Sequence, residues 1–258
     1  VLLGVTGSIA AYKSVDLASK LTQAGARVDV ILTESAARFV TPLAFRSVTG
    51  RPVHGDMWAL DEHVRHVGLG ETADLFLIAP ATANTLAKLA HGLADNLLTV
   101  TALAARGPLL VAPAMDGGMW AHPATQASVA ALRERGVGLL GPAEGRMASG
   151  LSGPGRMLEP AELLGEVRLA LAQGGALRGR RVVVTTGPTR EALDPVRFIS
   201  NRSTGKQGVA VAQAALDAGA AVTLIAGLVA EPMPYGARVV PVETTQQFQM
   251  LLAGLSPD

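Results

Sequence analysis

An alternation restricts this chain more than any single motif does: short runs of β-branched and aliphatic residues take turns with longer stretches rich in Ala and Leu. Strands are expected at residues 1–5, 27–32, 74–79, 108–112 and 137–140, and helices at 9–24, 34–39, 83–90, 96–105, 125–135 and 160–173. Strands joined by helix-length connections run parallel, with helices covering both faces of the sheet. Gly25 and Gly136 act as stop signals after the first and fifth helices. Gln173-Gly174-Gly175-Ala176 breaks the pattern, so domains are expected at 1–173 and 177–258. The second segment restarts the scheme with strands at 180–185, 221–226 and 238–242, a long loop at 186–203, and helices at 204–218 and 245–255. Both segments read as α/β domains, Rossmann-like or flavodoxin-like, the second having about 80 residues and an unfinished sheet.

Open parallel sheets bind ligands outside the carboxyl ends of their strands. Those ends carry Gly4-Val5-Thr6-Gly7-Ser8, Thr33-Glu34-Ser35, Pro80-Ala81-Thr82-Ala83-Asn84 and Pro113-Ala114-Met115-Asp116-Gly117-Gly118-Met119-Trp120. All of them are expected to face one crevice. The last run is rich in large side chains, and Met115, Met119 and Trp120 read either as a pocket lining or as packing under a helix start. The glycine turn before the first helix suits a phosphate held on backbone N–H groups. Glu34 could meet the ribose of a dinucleotide. The neutral hydroxyls of Ser8, Thr33, Ser35 and Thr82 look more like a site for a single phosphate monoester, such as that of FMN, although each also reads as an ordinary N-cap.

Composition closes off other classes. The formal net charge is +1 and the basic residues are scattered, which argues against a nucleic-acid surface. The chain has no Cys, which removes disulfides, thiolate metal sites and a cysteine nucleophile together, and no metal site is expected. Hydrophobic residues make up 49%, but charges or Pro interrupt every stretch long enough to span a bilayer. Residues 1–5 read as a strand and not as part of a signal peptide, so a cytoplasmic protein without membrane contact is expected. The chain starts abruptly without Met, and its first residues are expected to have been lost.

Gly7-Ser8-Ile9-Ala10-Ala11-Tyr12-Lys13, His66 ahead of Ala73-Asp74, Pro80-Ala81-Thr82-Ala83-Asn84, Ala94-Asp95-Asn96-Leu97 and the 113–120 run resemble the flavin-dependent cysteine decarboxylases. Residues 177–242, with Gly187-Pro188-Thr189-Arg190-Glu191, Asp194-Pro195-Val196-Arg197 and Ile199-Ser200-Asn201-Arg202-Ser203-Thr204-Gly205-Lys206, resemble the phosphopantothenoylcysteine synthetases. The order of the halves resembles the bifunctional enzymes of coenzyme A biosynthesis, with the ligase half cut short. The resemblance implies FMN held by Gly7, Ser8, Ile9, Thr33, Ser35, Pro80, Thr82, Asn84 and Met115. It also implies decarboxylation of 4′-phosphopantothenoylcysteine to 4′-phosphopantetheine, with Met119 and Arg156 on the substrate. His66 corresponds to the family's essential histidine, a base or orienting group that titrates near neutrality; His54 and His63 read as solvated surface residues.

Two positions depart from the family. Asp116 stands where the family has Asn, and an ionised carboxylate accepts hydrogen bonds but cannot donate them. It is expected either as a protonated donor or as an ionised helix N-cap, the donor being favoured. Ser149 stands in the clamp segment where the family has a Cys thought to donate a proton, and a hydroxyl is a weaker acid than a thiol. For the second segment the resemblance implies CTP-dependent coupling of cysteine to 4′-phosphopantothenate with Mg. Gly187, Arg190, Ser203 and Lys206 would hold substrate there, and Asn201 would handle the acyl-cytidylate. A trimer-based homo-oligomer with small-molecule substrates is implied. The alternatives are a peptide-cysteine decarboxylase on the same fold and a non-catalytic flavin-binding regulatory subunit.

Overall fold

The computed structural model describes residues 1–58, 65–147 and 150–254, in two units, Val1–Val167 and Arg168–Asp258. The first unit runs β1 (Leu2–Val5), α1 (Ala11–Gln23), β2 (Asp29–Leu32), α2 (Glu34–Ala37), α3 (Pro42–Thr49), β3 (Val53–His54), α4 (Arg65–Thr72), β4 (Phe76–Ala81), α5 (Ala83–His91) and α6 (Leu97–Ala104). It continues with β5 (Leu109–Pro113), α7 (Gly117–Ala121), α8 (Pro123–Glu134), β6 (Gly138–Leu139), the hairpin β7 (Ala143–Arg146) and β8 (Ser152–Arg156), and the start of α9 (Pro160–Ala172).

Its sheet has the order β3-β2-β1-β4-β5-β6, and every neighbouring pair is parallel. Side chains alternate across the sheet. Leu2, Phe76, Ile78 and Val111 pack against Leu86, Leu89, Leu97 and Val129 on one face, while the intervening Leu3, Val5 and Leu77, pointing the other way, are equally buried. Both faces are covered, which is why these strands read as apolar runs without polar alternation. The chain builds outward from β1 through β2 and β3, then returns to β4 on the other side. The crevice at this reversal opens between the loops that follow β1 and β4.

The second unit continues α9 and adds β9 (Arg181–Thr186), β10 (Arg190–Ala192), β11 (Phe198–Ser200), α10 (Lys206–Asp217), β12 (Ala221–Ala226), β13 (Arg238–Pro241) and α11 (Thr245–Ala253). A parallel sheet of order β13-β12-β9 packs through Val184, Val222 and Leu224 against Ala212, Ala215 and Leu216 of α10. Arg168 pairs in a fork with Asp217 at 2.9 and 2.6 Å.

The parallel α/β sheet read from the alternation is the sheet observed, and the differences are local. Residues 34–39 do not form one helix: α2 ends at Ala37, and a separate α3 starts at Pro42, whose missing N–H suits a first helical turn. The first helix starts at Ala11 because Ser8 accepts from Ala10 N at 3.3 Å, a turn that competes with helix. Likewise α10 starts at Lys206, since the hydroxyls of Ser203 and Thr204 accept from Gly205 N and Lys206 N at 3.4 and 3.5 Å. The expected loop at 186–203 contains the antiparallel hairpin β10–β11. His54 is no surface residue; it is 4% exposed, on an edge strand paired with Ile31. His63 and residue 255 lie outside the described residues.

Candidate functional site

Three contacts bind the loops at the carboxyl ends of the strands to one another. Buried Thr6 donates its hydroxyl to Pro80 O at 2.7 Å and accepts from Thr82 N at 3.2 Å, joining the β1 and β4 loops. Ala114 N donates to Ala81 O at 3.1 Å, joining the β5 loop to the β4 loop. Gly7 meets the start of α2 so closely that a Cβ there would sit 2.5 Å from Ser35 Cβ. Only glycine allows that approach.

Between the β1 and β5 loops and the β7–β8 hairpin lies a cavity of about 400 Å³. Ser8, Ile9, Tyr12 and Lys13 form one wall, Met115 and Asp116 a second, and Met147, Gly155 and Arg156 the hairpin side. Ala10, which has no capping side chain, precedes α1, so the positive end of that helix faces the same space. The hairpin is tied down by Met115 N donating to Gly155 O at 3.0 Å. Asp116 caps α7, its Oδ1 accepting from Gly118 N at 3.0 Å. Of the two arrangements left open by the sequence, the observed bond is that of the helix N-cap, with Oδ1 as the acceptor. Glu159, behind the wall, accepts from Lys13 Nζ at 2.6 Å and from Arg156 Nη2 at 3.1 Å.

The four loops share one edge of the sheet, but among the described residues they do not line one cavity. Ser8, Ile9, Met115, Asp116 and Arg156 come together around it, whereas Gly7, Ser35, Pro80, Thr82, Asn84 and Met119 are not in its lining. Thr33 borders a separate recess of about 170 Å³ with Leu32, Asp56 and Asn96. Thr33 and Thr82 act as N-caps, accepting from Ala36 N at 3.2 Å and Thr85 N at 3.3 Å. Ser35 and Asn84 stand exposed in the first turns of α2 and α5. Glu34 is exposed, its carboxylate 3.9 Å from Arg38. His66 sits not in a loop but in the first turn of α4, outside the cavity lining. Ser149 lies outside the described residues. Sequence reasoning assigned no role to Thr6, Lys13 or Glu159; the one available signal was a lysine on a helix face it shares with Ala11, Ser14, Leu17, Ala18 and Leu21.

In the second unit a cleft of about 820 Å³ is lined by Thr186, Gly187, Ser203, Gly205, Lys206 and Phe248, among others. Gly187, Ser203 and Lys206 thus share a site, while Arg190 and Asn201 are not in its lining. Arg190 stacks over Phe198 at 4.6 Å, and Asn201 Oδ1 accepts from Ser203 N at 2.9 Å, shaping the loop. Lys206 Nζ is 3.5 Å from Glu231. Hydrogen bonds from Thr245 N and Oγ1 hold Glu191 below the usual carboxylate range, and those from the backbone of Arg197 and Val196 do the same for Asp194.

A parallel sheet with a cavity beside the loops at its switch point defines the class: a doubly wound α/β protein. The chain belongs to the flavoprotein family, whose model matches residues 1–171, and the DNA/pantothenate metabolism flavoprotein C-terminal domain matches residues 177–255. It is 51% identical over 252 residues to the coenzyme A biosynthesis bifunctional protein CoaBC of Mycobacterium tuberculosis, covering 96% of this chain and 60% of that protein. The chain therefore spans about 60% of the length of this curated relative. Among solved structures, a mutant PPC decarboxylase complexed with pantothenoylaminoethenethiol matches with TM-score 0.59 and 38% identity, covering 65% of this chain and 95% of the other. The FMN-dependent cysteine decarboxylase SpaF matches with TM-score 0.57 and 34% identity, covering 67% and 94%. Among the described residues, no helix is long and apolar enough to cross a membrane, and no group of three or more His, Cys, Asp or Glu could hold a metal ion.

Proposed function

We propose that residues 1–171 bind FMN and decarboxylate 4′-phosphopantothenoylcysteine to 4′-phosphopantetheine in coenzyme A biosynthesis, inside a cytoplasmic, trimer-based homo-oligomer. The observation that carries the reading is the cavity itself. Its walls combine small residues that admit a flat ring, a helix start and three cations, and they belong to a unit similar over nearly its whole length to a PPC decarboxylase. The residues fit a flavin mononucleotide: Gly7 lets the β1 loop close against the start of α2, and Ser8 and the start of α1 at the cavity wall suit an oxyanion. When bound, FMN would supply reversible two-electron oxidation of the substrate's thiol-bearing carbon, which lets the neighbouring carbon hold the electron pair left by carbon dioxide.

The chain supplies binding and proton handling. Asp116, fixed by Gly118 N, is an acceptor at the cavity wall for a substrate N–H or S–H. Met115 and Met147 offer apolar contact and limit water. His66 is the base. Exposed Ile9 and Tyr12, at the rim of the cavity, support burial against another copy.

For residues 177–255 we propose the CTP- and Mg-dependent coupling of cysteine to 4′-phosphopantothenate, with the Gly187, Ser203 and Lys206 cleft as the nucleotide side. The family match and the loop-to-helix geometry of that cleft support it. The test is an absorption spectrum of the purified protein after FMN addition, together with carbon dioxide release from 4′-phosphopantothenoylcysteine. A flavin spectrum with stoichiometric release is expected. A protein that takes up no FMN removes the reading, and one that binds FMN without releasing carbon dioxide leaves the peptide-cysteine decarboxylase and the regulatory subunit as the alternatives.

A further inference from the structure

The hairpin β10–β11 of the second unit stands on the rim of that unit's cleft. The loop before it lines the cleft through Gly187, and the loop after it through Arg202, Ser203 and Gly205. A further stretch of wall, Phe248 and Leu252, comes from α11. No residue of α11 is buried: Phe248 is half-buried and Leu252 exposed. Apolar packing therefore holds this wall only weakly, and polar contacts from the hairpin do the rest.

Glu191 Oε1 accepts from Thr245 N at 2.9 Å and from Thr245 Oγ1 at 2.8 Å, and Arg190 N donates to Glu243 O at 2.7 Å. On the hairpin side, Ser200 Oγ braces the foot by donating to Thr189 O at 2.7 Å. Thr244 and Gln247 close a capping box on α11, but the Thr245 N–H, the first in the helix, has no partner within it. The Glu191 carboxylate takes that donor, at the helix end where negative charge is favoured. Bonds from Thr245 N, Thr245 Oγ1 and Thr189 hold its carboxyl below the usual range. The charged groups of the two elements are Arg190, which stacks over Phe198, Asp194 and Arg197, which pair with each other at 2.6 Å, and Glu243 just before α11; α11 itself carries none. Phe248 and Leu252 follow Thr245 by three and seven residues and share its helix face, so a displacement at Thr245 is carried along the axis to both.

We propose that Glu191 is a positioning residue of the cleft: by holding the start of α11 it sets the Phe248 and Leu252 wall against the loops at the feet of the hairpin. This deepens the ligase reading of residues 177–255, but its first test does not depend on that reading.

In that test the full 15N-labelled chain is followed without ligand. The Thr245 amide resonance should move with pH through a midpoint below the ordinary glutamate range, and should stay flat in Glu191→Gln. Glu191→Ala should speed amide exchange across residues 247–253 about fivefold or more, and Glu191→Gln should restore most of the protection, since its amide oxygen accepts from both Thr245 donors. A Thr245 amide that does not titrate in the parent, or faster exchange confined to Thr245, would overturn the proposal; the second result would leave Glu191 a local cap.

Calorimetry with CTP and Mg then reads the wall. Glu191→Ala should weaken the dissociation constant about fivefold or more, with Glu191→Gln recovering most of the loss. Phe248→Ala should weaken it comparably, and adding Glu191→Ala to Phe248→Ala should cost less than about twofold more, because Glu191 acts through the wall. Parental affinity in Glu191→Ala, equal losses in the Ala and Gln variants, or fully additive losses would each overturn the positioning role. A parent that binds no CTP overturns the nucleotide reading of the cleft, while exchange across α11 still decides whether Glu191 holds the wall.

Discussion

Gly155→Ala separates backbone strain from loss of docking in the hairpin that closes the cavity. Gly155 has φ +152°, and an added Cβ would fall inside contact distance of Met115 O and 3.0 Å from Met147 Sδ. The backbone conformation alone costs about 1–3 kcal/mol for a residue with a side chain. Relieving the clash means moving β8 off the β5 loop and breaking the bond from Met115 N, about 0.5–1.5 kcal/mol more. The sum is roughly 2–4 kcal/mol. Gly150→Ala is the control: its φ is +85°, but among the described residues nothing lies within 4 Å of the new methyl, so strain of about 1–2 kcal/mol is expected. For a unit of this size each kcal/mol moves Tm by roughly 2–4 °C. Scanning calorimetry should therefore show the first unit's transition falling by about 5–15 °C in Gly155→Ala, well beyond the control, with weaker FMN affinity in Gly155→Ala alone. Equal Tm in the two variants, or parental FMN affinity in Gly155→Ala, would refute the claim that the hairpin's seat on Met115 shapes the cavity.

Asp116→Asn should leave stability and the pH profile of substrate affinity unchanged, because the amide oxygen can also cap α7, whereas Asp116→Ala should lose about 1 kcal/mol; a pH dependence present in the parent and absent in Asn would restore the donor. Thr6→Val strands Pro80 O and Thr82 N in the interior and should cost about 1–3 kcal/mol by denaturant titration, with weaker flavin binding; an unchanged midpoint would mean those groups find other partners. His66→Asn should keep the flavin spectrum and lose carbon dioxide release, and full turnover would take His66 out of the chemistry. Hydrogen bonding from Arg168 holds Asp217 below the usual carboxylate range, so its stabilisation is present above the unfolded pKa, near 3.9, and is lost as pH falls through the folded value. With both side chains about one-third exposed, at 34% and 37%, the pair is discounted to roughly 0.5–1 kcal/mol; urea midpoints of the parent and Asp217→Asn should differ at pH 7 and converge below about pH 3, and a gap that persists in acid would refute the assignment.

Much of the site was legible because its loops fall where strands end, and strand ends follow from local pattern. Ser8, Met115, Asp116 and Arg156 were named from the sequence and meet around one cavity. Thr33 and Thr82 were named as flavin ligands or caps, and the geometry shows caps, since an N-cap needs only the next turn of its own helix. Lys13 and Glu159 escaped notice because they lie 146 residues apart. The α4 helix that carries His66 has a weak apolar pattern with two glycines, so tertiary packing outweighed propensity there.

What the sequence determined by itself was the parallel sheet, its helical crossovers and the edge that carries the cavity. Each of these follows from burial periodicity and from the length of connections, and both are set by near neighbours along the chain. Tertiary structure alone decided which groups share a charge, which hydroxyls are already taken, and that His54 is buried. Those outcomes depend on the distance and desolvation of residues far apart in the chain, and these come into being only when the β1 loop, the hairpin and the start of α9 are packed together.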